Sequence, residues 1–420
     1  MGVRRGPSGG DASCRPPCRR AEGMGMHPAR KRPGETERRH GGDHPGRSGG
    51  RREPDAREGV APGNHGILGR VHVPGIGNGI RHPRKREYFQ RRSAALTEPS
   101  RYSPFTIGGI TRMPYPSSLL VDVHSFCNAA CRTCPYRMLQ QSLPMGYMDE
   151  PLFRKIIDEF SRIKKDHDVR GHVIFCYMGE PFVDPNVIGK ISYVLESGLV
   201  LVLQTNAYLL TPERVDRLIE TGFRGEIYVS CHGITPRVYR KVMGMEIGPV
   251  LRNVEYLIGR YPRNLVQIRA IPHEWPIGEA LRVKRYWKRK GVRLKLFLPN
   301  SRTGLLPDLR RWSWKYPGNR LRGCRKNLPI RDMVVAYNGD VVLCCEDMAR
   351  KVVLGNVRER SLVEVWNSER AKEVLEMIYL GKPSGHDFIC KTCEFGGSTL
   401  SRRLVKNLDN TLHRIWKCTL

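Results

Sequence analysis

From residue 115 onward, short apolar runs alternate with stretches whose apolar positions recur at helical spacing. The runs are SLLVDVHSF (118–126), GHVIFCYMG (171–179), LVLVLQTN (199–206), EIYVSCHG (226–233), LVQIRAIP (265–272) and RLKLFLPN (293–300). Each is mainly Val, Ile and Leu, the composition of strands buried on both faces. Between them EPLFRKIIDEFSRI (150–163), NVIGKISYVLESG (186–198) and TPERVDRLIETG (211–222) read as amphipathic helices. The third opens on Thr211, with Glu213 and Arg214 behind it, a helix start. Six such repeats predict a parallel sheet with right-handed crossovers. That is too few for a closed eight-stranded barrel, so the expectation is an α/β fold, a partial (β/α)6 TIM-like barrel over 113–310. In such sheets functional residues gather at the carboxyl ends of the strands. Those ends read HSFCNAAC, CYMGEP, QTNA, VSCHG and LPNSRTG, so polar residues, Gly and Cys collect where one shared site would form.

The pattern changes near residue 320. Cysteines recur at Cys324, Cys344, Cys345, Cys390 and Cys393, and Asn338-Gly339 between two β-like runs signals a tight hairpin. Residues 320–400 therefore read as a small second domain, short of core and stapled by metal. The segment 401–420 reads as a basic amphipathic helix that packs on the barrel.

Composition sharpens the picture at the amino-terminal end. The chain has 420 residues, enough for two or three domains, and a net charge of +31. Residues 1–112 hold 23 Lys+Arg against 10 Asp+Glu and are rich in Gly, Pro and Arg, with no apolar periodicity. Such a segment cannot bury enough surface to offset its ordering entropy. It reads as a disordered basic extension, or as a start called too early, with Met113 as the true start. RNA binding by this tail is the lesser reading, and Cys14 and Cys18 within it are incidental. No stretch is apolar enough to span a membrane. Thirteen cysteines without a secretory signal point to a reducing compartment, the cytoplasm.

The stretch HSFCNAACRTCPY (124–136) places Cys127, Cys131 and Cys134 at C-x3-C-x2-C spacing. Zinc is one candidate for these thiolates, with His124 as a fourth ligand. An iron–sulfur cluster is the other, since clusters take Cys thiolates on close spacings within one loop. Three thiolates on a cubane leave one iron open to an outside ligand.

These residues resemble the signature loop of the radical S-adenosylmethionine (radical SAM) superfamily. Met178-Gly179-Glu180-Pro181 is similar to that family's GGEP motif, where backbone and Glu meet the methionine amino group. Thr205-Asn206 resembles its TN(G) strand end, and Ser230 the polar residue that contacts ribose or carboxylate. Asn300 through Gly304 resembles the N-R-A-G-like segment after the sixth strand. Two positions depart from the pattern. Thr133 stands where an aromatic residue packs on adenine, which shifts that packing to Tyr136 or another group, and Met178 stands where the first Gly is usual. Residues 320–400 resemble the superfamily's SPASM/twitch extension, whose C-x(9–15)-G-x4-C hallmark fits Cys324, Gly339 and Cys344. LGNVRERSLVEVWNSERAKEV and Cys390-x2-Cys393 follow as in that family. The resemblance implies one auxiliary [4Fe–4S] cluster on Cys324, Cys344, Cys390 and Cys393. Cys345 competes with Cys344, while Cys176 and Cys231 are packing residues.

What the resemblance implies for chemistry is a [4Fe–4S] cluster whose open iron binds S-adenosylmethionine, cleaves it reductively, and yields a 5′-deoxyadenosyl radical that takes a substrate hydrogen. The auxiliary cluster would accept the remaining electron, which favours net oxidation. An electron donor such as flavodoxin or ferredoxin is implied. Arg302 could meet a substrate carboxylate or phosphate, or be a solvated surface charge. His232 could transfer a proton or merely hydrogen-bond. Oxidation of a hydroxyl on a sugar, cyclitol or similar small molecule is the favoured function. A peptide- or protein-modifying maturase is the alternative, although residues 1–112 do not look like a peptide-clasping domain. A zinc and nucleic-acid binding protein, suggested by charge, leaves the strand-end motifs unexplained.

Overall fold

In the computed structural model, residues 102–312, Arg170 excepted, and 321–396 are described. The expected helix at 401–420, most of the basic extension, and Cys14 and Cys18 lie outside them. The six expected strands are all present: β3 (Ser118–Val121), β4 (Val173–Phe175), β5 (Leu201–Thr205), β6 (Ile227–Ser230), β7 (Val266–Ala270) and β8 (Arg293–Leu296). They pair in sequence order and all in parallel. The crossovers are α2 (Glu150–His167), α3 (Val187–Glu196), α4 (Pro212–Glu220), the pair α5 (Pro236–Met243) and α6 (Ile247–Arg260), and α7 (Glu279–Arg289). A short α1 (Tyr136–Leu139) follows the cysteine loop. The helix starts follow from side-chain caps: Asp149 accepts from Leu152 N at 2.9 Å, and Thr211 from Arg214 N at 3.4 Å.

One face of this sheet is dry. Leu119, Val121, Phe175, Leu201, Leu203, Val229 and Ile268 are fully buried in one core with Phe153, Ile157 and Phe160 of α2. The opposite face changes character across the sheet. Leu120, Ile174 and Cys176 pack apolar groups together there. The register then carries that face through Gln204, Tyr228, Ser230, Arg269 and Lys295. Strands buried on both faces would be apolar throughout. Here β7 (VQIRA) alternates because Arg269 on its inner face borders a cavity, and β8 (RLKL) alternates because it is the edge strand, with Arg293 and Lys295 exposed.

The region after residue 320 is not set apart from the barrel. Its strands β9 (Asp332–Val335), β10 (Asp340–Val342) and β11 (Val353–Asn356) extend the same sheet to nine strands. β9 runs parallel to β3, with Leu120 opposite Val334, and the Asn338-Gly339 turn returns the chain antiparallel into β10. This covers the exposed edge that β3 would present. Helices α8 (Leu362–Trp366), α9 (Glu369–Tyr379) and α10 (Ile389–Thr392) complete the region.

The folded part also begins earlier than Met113. A hairpin of β1 (Phe105–Ile107) and β2 (Ile110–Arg112) precedes it. Arg112 is 1% exposed, sits 3.8 Å over the Trp366 ring and donates to Trp366 O at 2.7 Å. Trp366 Nε1 in turn donates to Met113 O, and Asn367 Nδ2 to Pro114 O. The boundary expected at residue 112 therefore falls too late, because Arg112 belongs to the core of the C-terminal region.

Candidate active site

The loop carrying Cys127, Cys131 and Cys134 leaves β3 and is fastened on two sides. Ala130 N and Arg132 N donate to Met243 O and Val242 O at the end of α5, at 3.0 and 2.8 Å. On the other side Cys127 N donates to Tyr136 Oη at 2.9 Å. Tyr136 packs in a small cluster with Leu139, Met178 and Met348, beside Cys127 and Cys134. Thr133 is buried within the loop. His124, the fourth ligand of the zinc alternative, accepts from Phe126 N at its Nδ1 (3.0 Å) and stacks with Phe126.

Glu180 is buried at the end of β4 and fixed by β5. Its carboxylate accepts from Thr205 Oγ1 at 2.5 Å, from Asn206 N at 2.6 Å and from Phe182 N at 3.4 Å. Burial pushes its pKa up to about 7 even so. A neighbouring ammonium would favour its charged form. Asn206 donates through Nδ2 to Asn128 Oδ1 of the cysteine loop at 2.8 Å, tying the second and third strand ends to the first. Gly179 is required by close approach: a Cβ there would lie 2.3 Å from His124 O. Met178 N and Gly179 N both donate to Asp122 Oδ1, at 3.1 and 3.2 Å. Asp122 had not been singled out. It is fully buried, and burial raises its pKa to about 7. The available signal was a carboxylate inside the apolar run SLLVDV. Arg350, from beyond β10, approaches Asp122 to 4.0 Å.

Ser230, His232 and Arg302 line a cavity of about 400 Å³. The remaining wall includes Gln204, Arg269, Asn300, Arg325, Lys326, Glu346, Glu394 and Phe395. His232 accepts from Ile271 N at Nδ1, 3.3 Å away, and burial followed by the charge of Arg302 pushes its pKa down to about 4. It is therefore a neutral imidazole at physiological pH. Arg302 does not stand free to meet a ligand. It donates to Glu346 Oε2 at 3.0 Å, and Lys326 Nζ lies 3.6 Å from the other oxygen. Arg302 is thus charge-matched, a tie between the β8 end and the C-terminal region. Ser301 N reinforces the tie by donating to Glu394 Oε1 at 2.8 Å. Sequence reasoning missed Arg269, Lys326, Glu346 and Glu394, which distant segments bring to one wall.

The other cysteine set stands directly behind that wall. Arg325 and Lys326 follow Cys324, Glu346 follows Cys344-Cys345, and Glu394 and Phe395 follow Cys393. Burial drives the Cys344 and Cys390 thiols well up, with Cys345 first and then Cys390 and Cys393 acting on Cys344, and Cys393 and Cys324 acting on Cys390. Cys345 instead packs with Cys176, Leu120 and Val334 on the inner face of the sheet. Cys231 is buried in the main core. In the first loop burial pushes Cys127 up to about 12, and Cys131 well above the usual thiol range, where Cys134 and Cys127 add to the effect. Grouped, buried soft donors of this kind fit an iron–sulfur cluster, whose positive charge would take them over as thiolates. Two backbone N–H groups already point at sulfur: Ala129 N at Cys127 Sγ and Phe395 N at Cys393 Sγ, each at 3.5 Å. Among the described residues no three His, Cys, Asp or Glu side chains are grouped tightly enough for a single metal ion, so the fit rests on the soft, buried thiols themselves.

Comparisons with known proteins follow the same division. Residues 121–274 match the family described as the Radical SAM superfamily, and residues 324–394 match SPASM, an iron–sulfur cluster-binding domain. The chain is 24% identical over 280 residues to an S-adenosyl-L-methionine-dependent 2-deoxy-scyllo-inosamine dehydrogenase of Niallia circulans, covering 66% of this chain and 92% of that protein. It is 24% identical over 315 residues to a tungsten-containing aldehyde ferredoxin oxidoreductase cofactor-modifying protein of Pyrococcus furiosus, covering 60% of this chain and 81% of that one. Among solved structures, SuiB of Streptococcus suis bound to S-adenosylmethionine superposes with a TM-score of 0.50 at 13% identity. That match covers 70% of this chain and 75% of the other. Among the described residues no helix is long and apolar enough to cross a membrane.

Proposed function

For this oxidoreductase, which belongs to the radical SAM superfamily and carries an iron–sulfur cluster-binding SPASM domain, we propose the oxidation of a hydroxyl on a small molecule held in the cavity. The observation that carries the reading is the position of that cavity. On one side Arg302 acts electrostatically on Cys134, and on the other the lining residues directly follow Cys324, Cys345 and Cys393. Bound at Cys127, Cys131 and Cys134 with one iron open, a [4Fe–4S] cluster would supply the electron that cleaves S-adenosylmethionine to a 5′-deoxyadenosyl radical, and a second at Cys324, Cys344, Cys390 and Cys393 would take up the electron left on the substrate.

The chain's own residues do the rest. Glu180, held by Thr205 and Asn206, accepts from the ammonium of the cofactor. Met178 and Gly179 present their backbone beside it, held by Asp122. Tyr136 braces the cysteine loop through its hydroxyl, and its ring takes the adenine side in place of the residue at Thr133. Ser230 contacts the ribose or carboxylate. His232, neutral, hydrogen-bonds rather than carrying charge. The region after residue 320 supplies Arg325, Lys326, Glu346, Glu394 and Phe395 to the cavity wall. The cavity volume, about 400 Å³, lies in the range of small-ligand sites, in keeping with the 2-deoxy-scyllo-inosamine dehydrogenase named for the N. circulans relative. A reduced flavodoxin or ferredoxin is the proposed electron donor, and thiol-rich sites call for a reducing compartment, the cytoplasm.

The test is anaerobic reduction with S-adenosylmethionine and a panel of deuterated polyols and cyclitols. Deuterium in 5′-deoxyadenosine, with a product lighter by two hydrogens, is the expected result. Formation of no 5′-deoxyadenosine would sink the reading, and deuterium transfer from a peptide alone would replace the small molecule.

A further inference from the structure

We propose that Arg350, carried by the turn after β10, is a positioning residue: acting through the Asp122 carboxylate, it sets the backbone of Met178 and Gly179 for the methionine end of S-adenosylmethionine. This rests on the reading that Glu180 and the two residues before it meet that end of the cofactor. Asp122 follows β3 directly. One of its oxygens, Oδ1, holds both amides, Met178 N at 3.1 Å and Gly179 N at 3.2 Å. The other, Oδ2, is buried and has no hydrogen-bond partner among the described residues. Arg350 stands opposite it. Only 7% of the Arg350 side chain is exposed, and its Nη2 lies 4.0 Å from Oδ2. Its Nε and Nη2 are likewise buried without a hydrogen bond. The guanidinium also sits 5.1 Å from the centroid of the Tyr337 ring. Removing Arg350 would leave the Asp122 carboxylate as an uncompensated buried charge, the arrangement a folded chain tolerates least.

A second tether from the same turn reaches the same backbone. Tyr177, directly before Met178, has a φ of 134°, a conformation that residues other than glycine rarely adopt. Its hydroxyl donates to Asp347 O at 2.6 Å. Asp347 is itself locked in place. Its carboxylate accepts from Lys351 N at 3.0 Å and from Val352 N at 2.9 Å. Its own N donates to Cys344 O at 3.0 Å, and Arg350 N donates to Asp347 O at 3.1 Å. Residues 347–350 thus hold 177–179 at two points, one through the Tyr177 hydroxyl and one through Asp122. Strained backbone persists where its surroundings over-determine it, and such strain gathers at ligand clamps. Freed of these tethers, Tyr177 would relax toward the ordinary extended region and carry Met178, Gly179 and the adjoining Glu180 with it. The C-terminal region therefore shapes the seat of the cofactor as well as one wall of the cavity.

The test reads S-adenosylmethionine affinity by calorimetry, together with iron per chain, on the anaerobically reconstituted protein. Arg350→Met, Arg350→Lys and Asp122→Asn/Arg350→Met are compared with the unmutated chain. Arg350→Met should raise the Kd about tenfold, with iron per chain unchanged. Arg350→Lys keeps the charge but not the planar fork and should fall between the two. In the double variant the amide oxygen at position 122 still accepts from Met178 N and Gly179 N and needs no counter-charge, so the Kd should return to within about threefold. That rescue separates positioning from packing, because a lost contact with Tyr337 would persist in the double variant. The proposal falls if Arg350→Met leaves the affinity intact, if the double variant binds no tighter than Arg350→Met, or if Arg350→Met loses iron. Should Arg350→Met fail to fold, Arg350→Lys decides: weaker binding at full iron content upholds the proposal, and unchanged binding overturns it. An unmutated chain that binds no S-adenosylmethionine would remove the cofactor reading and the proposal with it. Failure of the substrate oxidation alone would leave these affinities untouched and show separately, as deuterium missing from 5′-deoxyadenosine.

Discussion

Replacing Gly179 by alanine places a Cβ 2.3 Å from His124 O, 2.9 Å from His124 Nδ1 and 2.9 Å from Phe126 O, all inside the 3.0 Å that real Cβ contacts respect. Two of the three atoms are backbone, and His124 is held by its own bond to Phe126 N, so none can yield cheaply. Overpacking of this kind costs about 1–3 kcal/mol. Moving the 178–179 backbone away also weakens two bonds to the buried Asp122 carboxylate, each worth about 1.5–3 kcal/mol. The expected loss is about 3–5 kcal/mol, a fall in melting temperature of roughly 5–8 °C for a chain of this size. Gly259→Ala is the matched control. That position lies within α6 with nothing within 4 Å of its Cβ, and alanine there should stabilise by about 0.5–1 kcal/mol. Thermal unfolding and S-adenosylmethionine affinity are measured together. Gly179→Ala should lose both, because Glu180 follows directly. A melting temperature within about 2 °C of the unmutated protein, with cofactor affinity intact, would refute the close-approach argument.

His232 has a folded pKa of about 4, below its ordinary 6.5, so the unfolded chain takes up its proton first as pH falls. Stability should drop from pH 6.5 towards 4, by about 1.4 kcal/mol between pH 7.5 and 5.5. His232→Gln should remove that part of the slope in urea titrations, and an unchanged slope would contradict the buried neutral assignment. Cys344→Ala should lose about half of the bound iron while Cys345→Ala keeps it, as read by iron content and electron paramagnetic resonance. Equal losses would put Cys345 among the ligands. Arg112→Ala removes a buried ring contact and a bond to Trp366 O. It should cost about 3 kcal/mol, and a chain begun at Met113 should lose the same. A melting temperature unmoved by either change would return the boundary to residue 112.

What could be read from the chain was mostly local. The cysteine spacing, the strand ends at Gly179, Glu180 and Asn206, and the cap at Thr211 each sit within a few residues of one another, and the structure brings these strand ends together. The parallel addition of β9 to β3 joins segments about two hundred residues apart, and no local pattern encodes which edge a distant strand will cover. The hairpin before Met113 was masked by the average composition of its surroundings. Its signal was present in FTIGGITR, where Gly108 and Gly109 have φ of 54° and 72°, as a type I′ turn requires. Arg302 lines the cavity, but its partner Glu346 comes from another part of the chain. Arg269, which has no carboxylate within ion-pair distance among the described residues, sits inside a strand run that was read as mainly apolar.

The central claim is that two separate cysteine sets, one on either side of the cavity, each hold an iron–sulfur cluster. Iron and sulfide per chain, counted after anaerobic purification, test it most directly. The account predicts about eight irons, falling by about half in Cys127→Ala/Cys131→Ala/Cys134→Ala and by about half in Cys390→Ala/Cys393→Ala. About four irons in the unmutated chain, or zinc in either set, would contradict it.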